Sequence, residues 1–195
     1  METPMKYRKT MKWLLALALA GSVTGALAVT KFEPAQTVAD TPLVLNGAGT
    51  RFRTIFAVYD LGLYLKSRAR TPEAVLEQPG PKKLSFVALR ELSGTDLGVA
   101  FMKGLDANSP KNQVTRHTAA TTRLIEIFSG KARLMPGETF SMDYTPGKGT
   151  VFFINGKAQG APVGDAEFFT MVLRIWLGSA PADWKLKDAL LGAEN

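Results

Sequence analysis

The stretch LVLNGAGTRFRTIFAVYDLGLYL, Leu43 to Leu65, decides the fold, because its apolar residues recur at every second position and not every third or fourth. Leu43, Val44 and Leu45 open it, Gly47-Ala48-Gly49 interrupts it, and a second run continues from Arg51 to Leu65. Within that run Phe52, Thr54, Phe56 and Val58 share one face, while Arg51, Arg53, Ile55, Ala57 and Tyr59 share the other. Gly62, inside an otherwise bulky strand, marks a bulge or a close backbone approach.

Outward from this core the same reasoning places the other elements. Pro72 to Glu77 reads as a short helix within the connector Arg68–Pro81, and Leu84 to Leu92 as a strand. Ser93 or Thr95 supplies the capping oxygen for a helix bearing Leu97, Ala100, Phe101 and Leu105 on one stripe. A single longer helix is expected over Asn112–Phe128, carrying His117, Thr121, Leu124 and Phe128, with Gly130 after it. Thr139–Tyr144 alternates, Pro146-Gly147-Lys148-Gly149 turns, and Thr150–Ile154 leads into the hairpin signal Asn155-Gly156. Asp165 caps a last core helix with Phe169, Leu173 and Trp176, ending at Gly178. Pro181 opens a terminal helix that closes at Gly192. Strands, helices, strands, helices: the order predicts an α+β fold with a mainly antiparallel sheet.

The chain has 195 residues, 46% hydrophobic and 21% charged, which suits one folded domain with a leader. Residues 1–28 have the order of an export signal. Lys6, Arg8, Lys9 and Lys12 precede the apolar run Trp13–Ala20, and Ala26-Leu27-Ala28 offers a cleavage site before Val29. Retention as a membrane anchor is the alternative. The apolar stretch Trp13–Val29 is short for a span and broken by Gly21, Ser22, Thr24 and Gly25. The expected organisation is a signal peptide 1–28, a flexible polar lead-in 29–41 and a domain 42–192, with a periplasmic or secreted location.

Composition removes several chemistries. No cysteine means no disulfide, thiol nucleophile or thiolate-bound metal, and a lone histidine leaves no multi-histidine centre. The formal charge of +7 falls to +4 without residues 1–28, as 20 basic and 16 acidic residues remain. Those charges are scattered, so no nucleic-acid footprint is expected, nor is a cofactor or metal. Gly47-Ala48-Gly49 resembles part of a dinucleotide fingerprint but precedes a strand. It therefore lacks the helix N-terminus that would receive a phosphate. His117 lies beside an apolar helical stripe with no carboxylate three or four residues away, and reads as a structural histidine. Asp96, Asp106, Glu126, Glu138, Asp143 and Asp165 fall at helix ends and turns, where capping accounts for them. Arg51 stands apart, a cation on a face otherwise carrying Ile55, Ala57 and Tyr59. It needs an anion, a carbonyl cluster or water, and solvent exposure or pairing with Glu91 would also satisfy it.

Leu45-Asn46-Gly47-Ala48-Gly49-Thr50-Arg51, followed by Tyr59-Asp60-Leu61-Gly62-Leu63-Tyr64-Leu65, resembles the opening strands of the chalcone isomerase family, and in particular its exported bacterial branch. Leu92-Ser93-Gly94, Pro136-Gly137-Glu138, Gly149-Thr150 with Asn155-Gly156, Trp176-Leu177-Gly178-Ser179-Ala180-Pro181 and Leu190-Leu191-Gly192 extend the likeness over about residues 42–192. The resemblance implies an open-faced β-sandwich, a large antiparallel sheet covered by a helical layer. It also implies a site where an arginine holds an anionic ligand while tyrosine, threonine and asparagine side chains polarise a ketone. The arginine corresponds to Arg51. The other positions fall at Tyr59, Leu97, Gly104 and Ile175, so most of the polarising donors are replaced. An oxyanion site is sensitive to such losses, each donor being worth ~10²–10³ in rate. The expectation is a binder of a small lipophilic anion, a fatty acid or phenolic, with Arg51 and Tyr59 at its charged end and Leu97, Phe101, Gly104 and Ile175 along its wall, and no catalytic residue assigned. The alternatives are an isomerase or intramolecular lyase with a changed substrate, and a structural or adaptor protein of the cell envelope.

Overall fold

The structure, a computed structural model, describes residues 30–193. The signal peptide expected over 1–28 lies outside them. A seven-stranded antiparallel sheet forms the frame. It contains β1 (Ala35–Val38), β2 (Thr41–Arg53), β3 (Phe56–Leu65), β4 (Lys82–Ala88), β7 (Thr139–Thr145), β8 (Gly149–Ile154) and β9 (Lys157–Ala158), in that spatial order. A small second pair, β5 (Leu92–Ser93) with β6 (Arg133–Leu134), sits beside it. Helices α1 (Pro72–Glu77), α2 (Gly94–Asn108), α3 (Lys111–Arg116), α4 (Thr118–Gly130), α5 (Ala166–Leu177) and α6 (Trp184–Leu190) complete the α+β fold anticipated above. Among the described residues no helix is long and apolar enough to cross a membrane.

The deciding stretch folds differently in detail. The break expected at Gly47–Gly49 is continuous strand, with register shifts at Leu45/Gly47 and Arg51/Phe52. The chain instead reverses at Thr54-Ile55, in the middle of what the alternation suggested was one strand. Thr54 adopts φ +60°, a left-handed conformation that a β-branched residue seldom takes. Nothing in its residue type announces a turn, so periodicity alone ran through it. Gly47 is needed for a different reason: a Cβ there would lie 2.7 Å from the Leu190 carbonyl oxygen, so glycine lets α6 pack on β2.

Residues 59–65 of β3 are buried throughout, which explains the dense apolar run. Leu61, Leu63 and Leu65 join the main core with Leu84, Phe86, Leu105, Leu124 and the buried side of α5. Asp60, Gly62 and Tyr64 alternate to the opposite face. There the expected flexible lead-in over 29–41 is corrected. Thr30 donates from its amide (2.6 Å) and hydroxyl (2.5 Å) to Asp60, and Phe32 lies against Gly62. Tyr64 donates to the Glu33 carbonyl at 2.9 Å, and β1 pairs with β2. The segment is polar because it is an edge: Phe32 and Val38, with Leu43 and Tyr64, make a small second cluster too sparse to show as periodicity.

Caps explain the helix starts. Thr71, Ser93, Asp165 and Asp183 each accept from an amide in the first turn of α1, α2, α5 and α6. The terminal helix therefore begins at Trp184 under Asp183, and not at Pro181. The single helix expected over 112–128 is two: His117 takes φ −99°, ψ 20° at the junction of α3 and α4. Its ring lies 2.8 Å from Glu167 on α5, holding the junction against that helix.

Candidate functional site

A cavity of about 650 Å³ opens between the sheet and α2, within the size range usual for small-molecule sites. Its floor is aromatic. Phe86 of β4 stacks on Phe140 of β7 with centroids 3.9 Å apart, and meets Tyr59 edge-on at 5.4 Å and Trp176 at 5.3 Å. Phe128 stands at right angles to Phe140 at 5.5 Å, with Phe101 beyond it at 6.2 Å. Met142 and Val58 fill the remaining floor.

All six residues singled out in the sequence line this one cavity. Arg51 and Tyr59 come from adjacent strands, where antiparallel pairing sets them directly opposite one another. Their proximity follows from the hairpin at Thr54-Ile55 and not from equal parity on one strand, as the sequence suggested. Leu97, Phe101 and Gly104 present one side of α2, and Ile175 comes from α5. Gly104 is required by the packing of these two helices: a Cβ there would be 2.7 Å from Ile175 Cγ2.

Arg51 dominates the electrostatics. Its guanidinium carbon lies 5.5 Å from the Tyr59 ring centroid, and its buried Nε has no hydrogen-bond partner among the described residues. The pairing with Glu91 considered above does not form: Glu91 is bonded to Arg133. Tyr59 is 3% exposed. Its oxygen accepts from the Trp176 indole N–H at 2.7 Å, so its own proton remains for a further acceptor. Burial pushes the phenol above its ordinary value, with Arg51 and the Trp176 hydrogen bond pulling the other way. The phenol is thus a neutral donor beside a fixed cation. Together they can receive a carboxylate or phenolate, Arg51 supplying charge and Tyr59 a directed hydrogen bond.

Sequence reasoning missed Trp176 as part of the site and read it as core. It is both, buried in α5 and bonded to Tyr59. Arg53, Arg90 and Lys103 at the mouth were also missed. Arg90 falls at alternate positions with Leu84, Phe86 and Ala88 in the sequence, which was the available signal. Arg53 is the last residue of β2 beside the turn and Lys103 lies on an exposed helix flank, where a basic residue carries no distinguishing pattern. His117 is buried, as a structural histidine should be, and lies outside this cavity.

A cleft between a curled antiparallel sheet and a helical layer, with an arginine at one end, agrees with the family resemblance, and the family model confirms it. The chain belongs to the chalcone isomerase-like family, whose model matches residues 24–192. A fatty-acid binding protein of Arabidopsis thaliana has a similar solved structure, with a TM-score of 0.64 at 15% identity, covering 83% of this chain and 92% of that one. At that identity the likeness speaks to the fold. Comparison with curated protein sequences finds no match.

Proposed function

We propose that this protein binds a small lipophilic anion, a fatty acid or a phenolic, with its acidic group against Arg51 and Tyr59 and its apolar body along Phe101, Leu97 and Ile175. The buried, unpartnered Nε of Arg51 carries this reading. A guanidinium nitrogen buried without a partner is costly, and here a cavity with an aromatic floor opens beside it. The fatty-acid binding activity named for the structural neighbour supports the same ligand class. The cavity offers little for ketone polarisation, since Leu97, Gly104 and Ile175 bring no side-chain donor. The protein therefore acts as a binder and not as a cyclase. The basic, apolar and small-residue order of residues 1–28 supports action outside the cytoplasm, and a mature N-terminus at Val29 in envelope or secreted fractions would match it.

The test is calorimetric titration with a panel of fatty acids and phenolic acids, alongside native mass spectrometry of the freshly purified protein. Arg51→Ala should weaken binding about 10- to 100-fold, the range for a charge-assisted hydrogen bond. Binding unchanged in that variant, or no binding to any member of the panel, overturns the proposal.

A further inference from the structure

We infer that the hairpin end of the sheet docks on an anionic membrane surface. The turn joining β2 and β3 projects Ile55, 77% exposed, and Phe56, 59% exposed, with Phe52 also open to solvent. Val99 of α2 stands exposed across the cavity mouth. Large apolar side chains at a loop tip are costly in water unless something covers them.

The charges around the mouth select what covers them. Arg53, Arg90 and Lys103 line it, and none has a salt-bridge partner among the described residues. Arg90 lies over the Phe56 ring at 5.7 Å, so the cation and the apolar tip form one surface. The acidic residues nearby are mostly engaged. Glu91 is bonded to Arg133, and Asp183 accepts from the Phe52 amide at 2.9 Å and caps α6. Asp96 remains, exposed in the first turn of α2. Three cations without an ion-pair partner among the described residues, against the carboxylates of Asp96 and the amide-bonded Asp183, ring exposed aromatic and aliphatic tips and match a bilayer surface of anionic lipid. Apolar groups there enter the headgroup boundary while cations meet phosphate or carboxylate. A second copy docked through the same patch would set these cations against their own duplicates. The inference stands on residues other than Arg51 and Tyr59, and so holds whether or not the cavity takes a lipophilic anion.

The absence of cysteine allows a local readout. Ile55→Cys carries one environment-sensitive fluorophore at the tip, in the full chain. Lys148→Cys carries it at the exposed turn between β7 and β8, at the other end of the sheet. With vesicles of phosphatidylcholine and phosphatidylglycerol, the label at position 55 should shift to the blue and become accessible to a lipid-borne quencher. The label at 148 should stay in water, and pure phosphatidylcholine should give little shift. Salt at 1 M should weaken the response by shortening the screening length to ~3 Å. Replacing Arg53 and Lys103 by Gln should reduce vesicle partition roughly tenfold or more. An unshifted label at 55, an equal shift at 148, or a shift that grows with protein concentration without vesicles overturns the inference, the last assigning the patch to a second copy.

Discussion

Trp176 and Tyr59 are joined by a hydrogen bond of 2.7 Å that ties α5 to β3 at the base of the cavity, the indole N–H donating to the phenol oxygen. Both side chains are buried, so neither group can turn to water if the other is removed. Tyr59→Phe leaves the indole N–H without a partner and should cost about 1–3 kcal/mol in urea unfolding. The same change removes the free phenol proton and should weaken binding of a carboxylate ligand, with less effect than Arg51→Ala. A variant as stable as the parent would show that the bond contributes nothing to folding.

Gly104→Ala sets two effects against each other. Alanine favours helix by about 1 kcal/mol, whereas the added Cβ would sit 2.7 Å from Ile175 Cγ2 and 3.1 Å from its Cγ1. Ile175 is buried and stiff at its branch point, so α2 must move outward. Overpacking of ~1–3 kcal/mol should win and give a net loss of stability, measured as a lower denaturant midpoint.

Asn46 holds three chain segments together. Its amide donates to the carbonyls of Ala69 (2.9 Å) and Leu190 (2.7 Å), and its oxygen accepts from the Ala69 amide at 2.7 Å. Asn46→Ala strands these buried groups and should cost about 3 kcal/mol, with hydrogen exchange accelerating first in α6.

Acid should act through Glu138. Its carboxylate accepts from the Met135 amide, and bonds to Lys131 and Asn155 add to that, holding it at about 2 against an ordinary 4.5. A lowered value means that the folded state favours the charged form. The contribution is present above pH ~4.5 and is lost as pH falls through about 2. Acid unfolding curves of Glu138→Gln should lack this component and be flatter over that interval. Curves of identical shape would remove Glu138 as a contributor.

The fold was legible wherever period and cap agreed. Asp165 and Gly178 bound the last core helix, and Asn155-Gly156 turns with both residues at positive φ. It was illegible where one residue departs from its type's habits. Thr54 turns the chain without being Gly, Asn or Asp, and His117 breaks a helix because Glu167, fifty residues on, holds its ring. The site followed the same division. Arg51 was visible as a cation on an apolar face. Trp176 was hidden because an indole on a buried stripe looks the same whether or not its N–H has a partner across the cavity.

The path of the chain through the sheet has a consequence for how the cavity can vary. β4 pairs directly with β7, yet α2, α3 and α4 lie between them in sequence. The α2 side of the helical wall therefore belongs to an excursion closed by its own base, inserted into an otherwise sequential meander. The strands that carry Arg51 and Tyr59 owe their register to neighbours in the meander and not to the excursion. Closing a longer or shorter loop there changes the entropy only slowly, by roughly 0.6 kcal/mol per doubling of length. The strands that carry the anion anchor and the α2 side of the wall are thus separable modules, with Ile175 of α5 outside the excursion: lineages could exchange that side of the wall, and with it the shape of guest admitted, while keeping the same charged anchor.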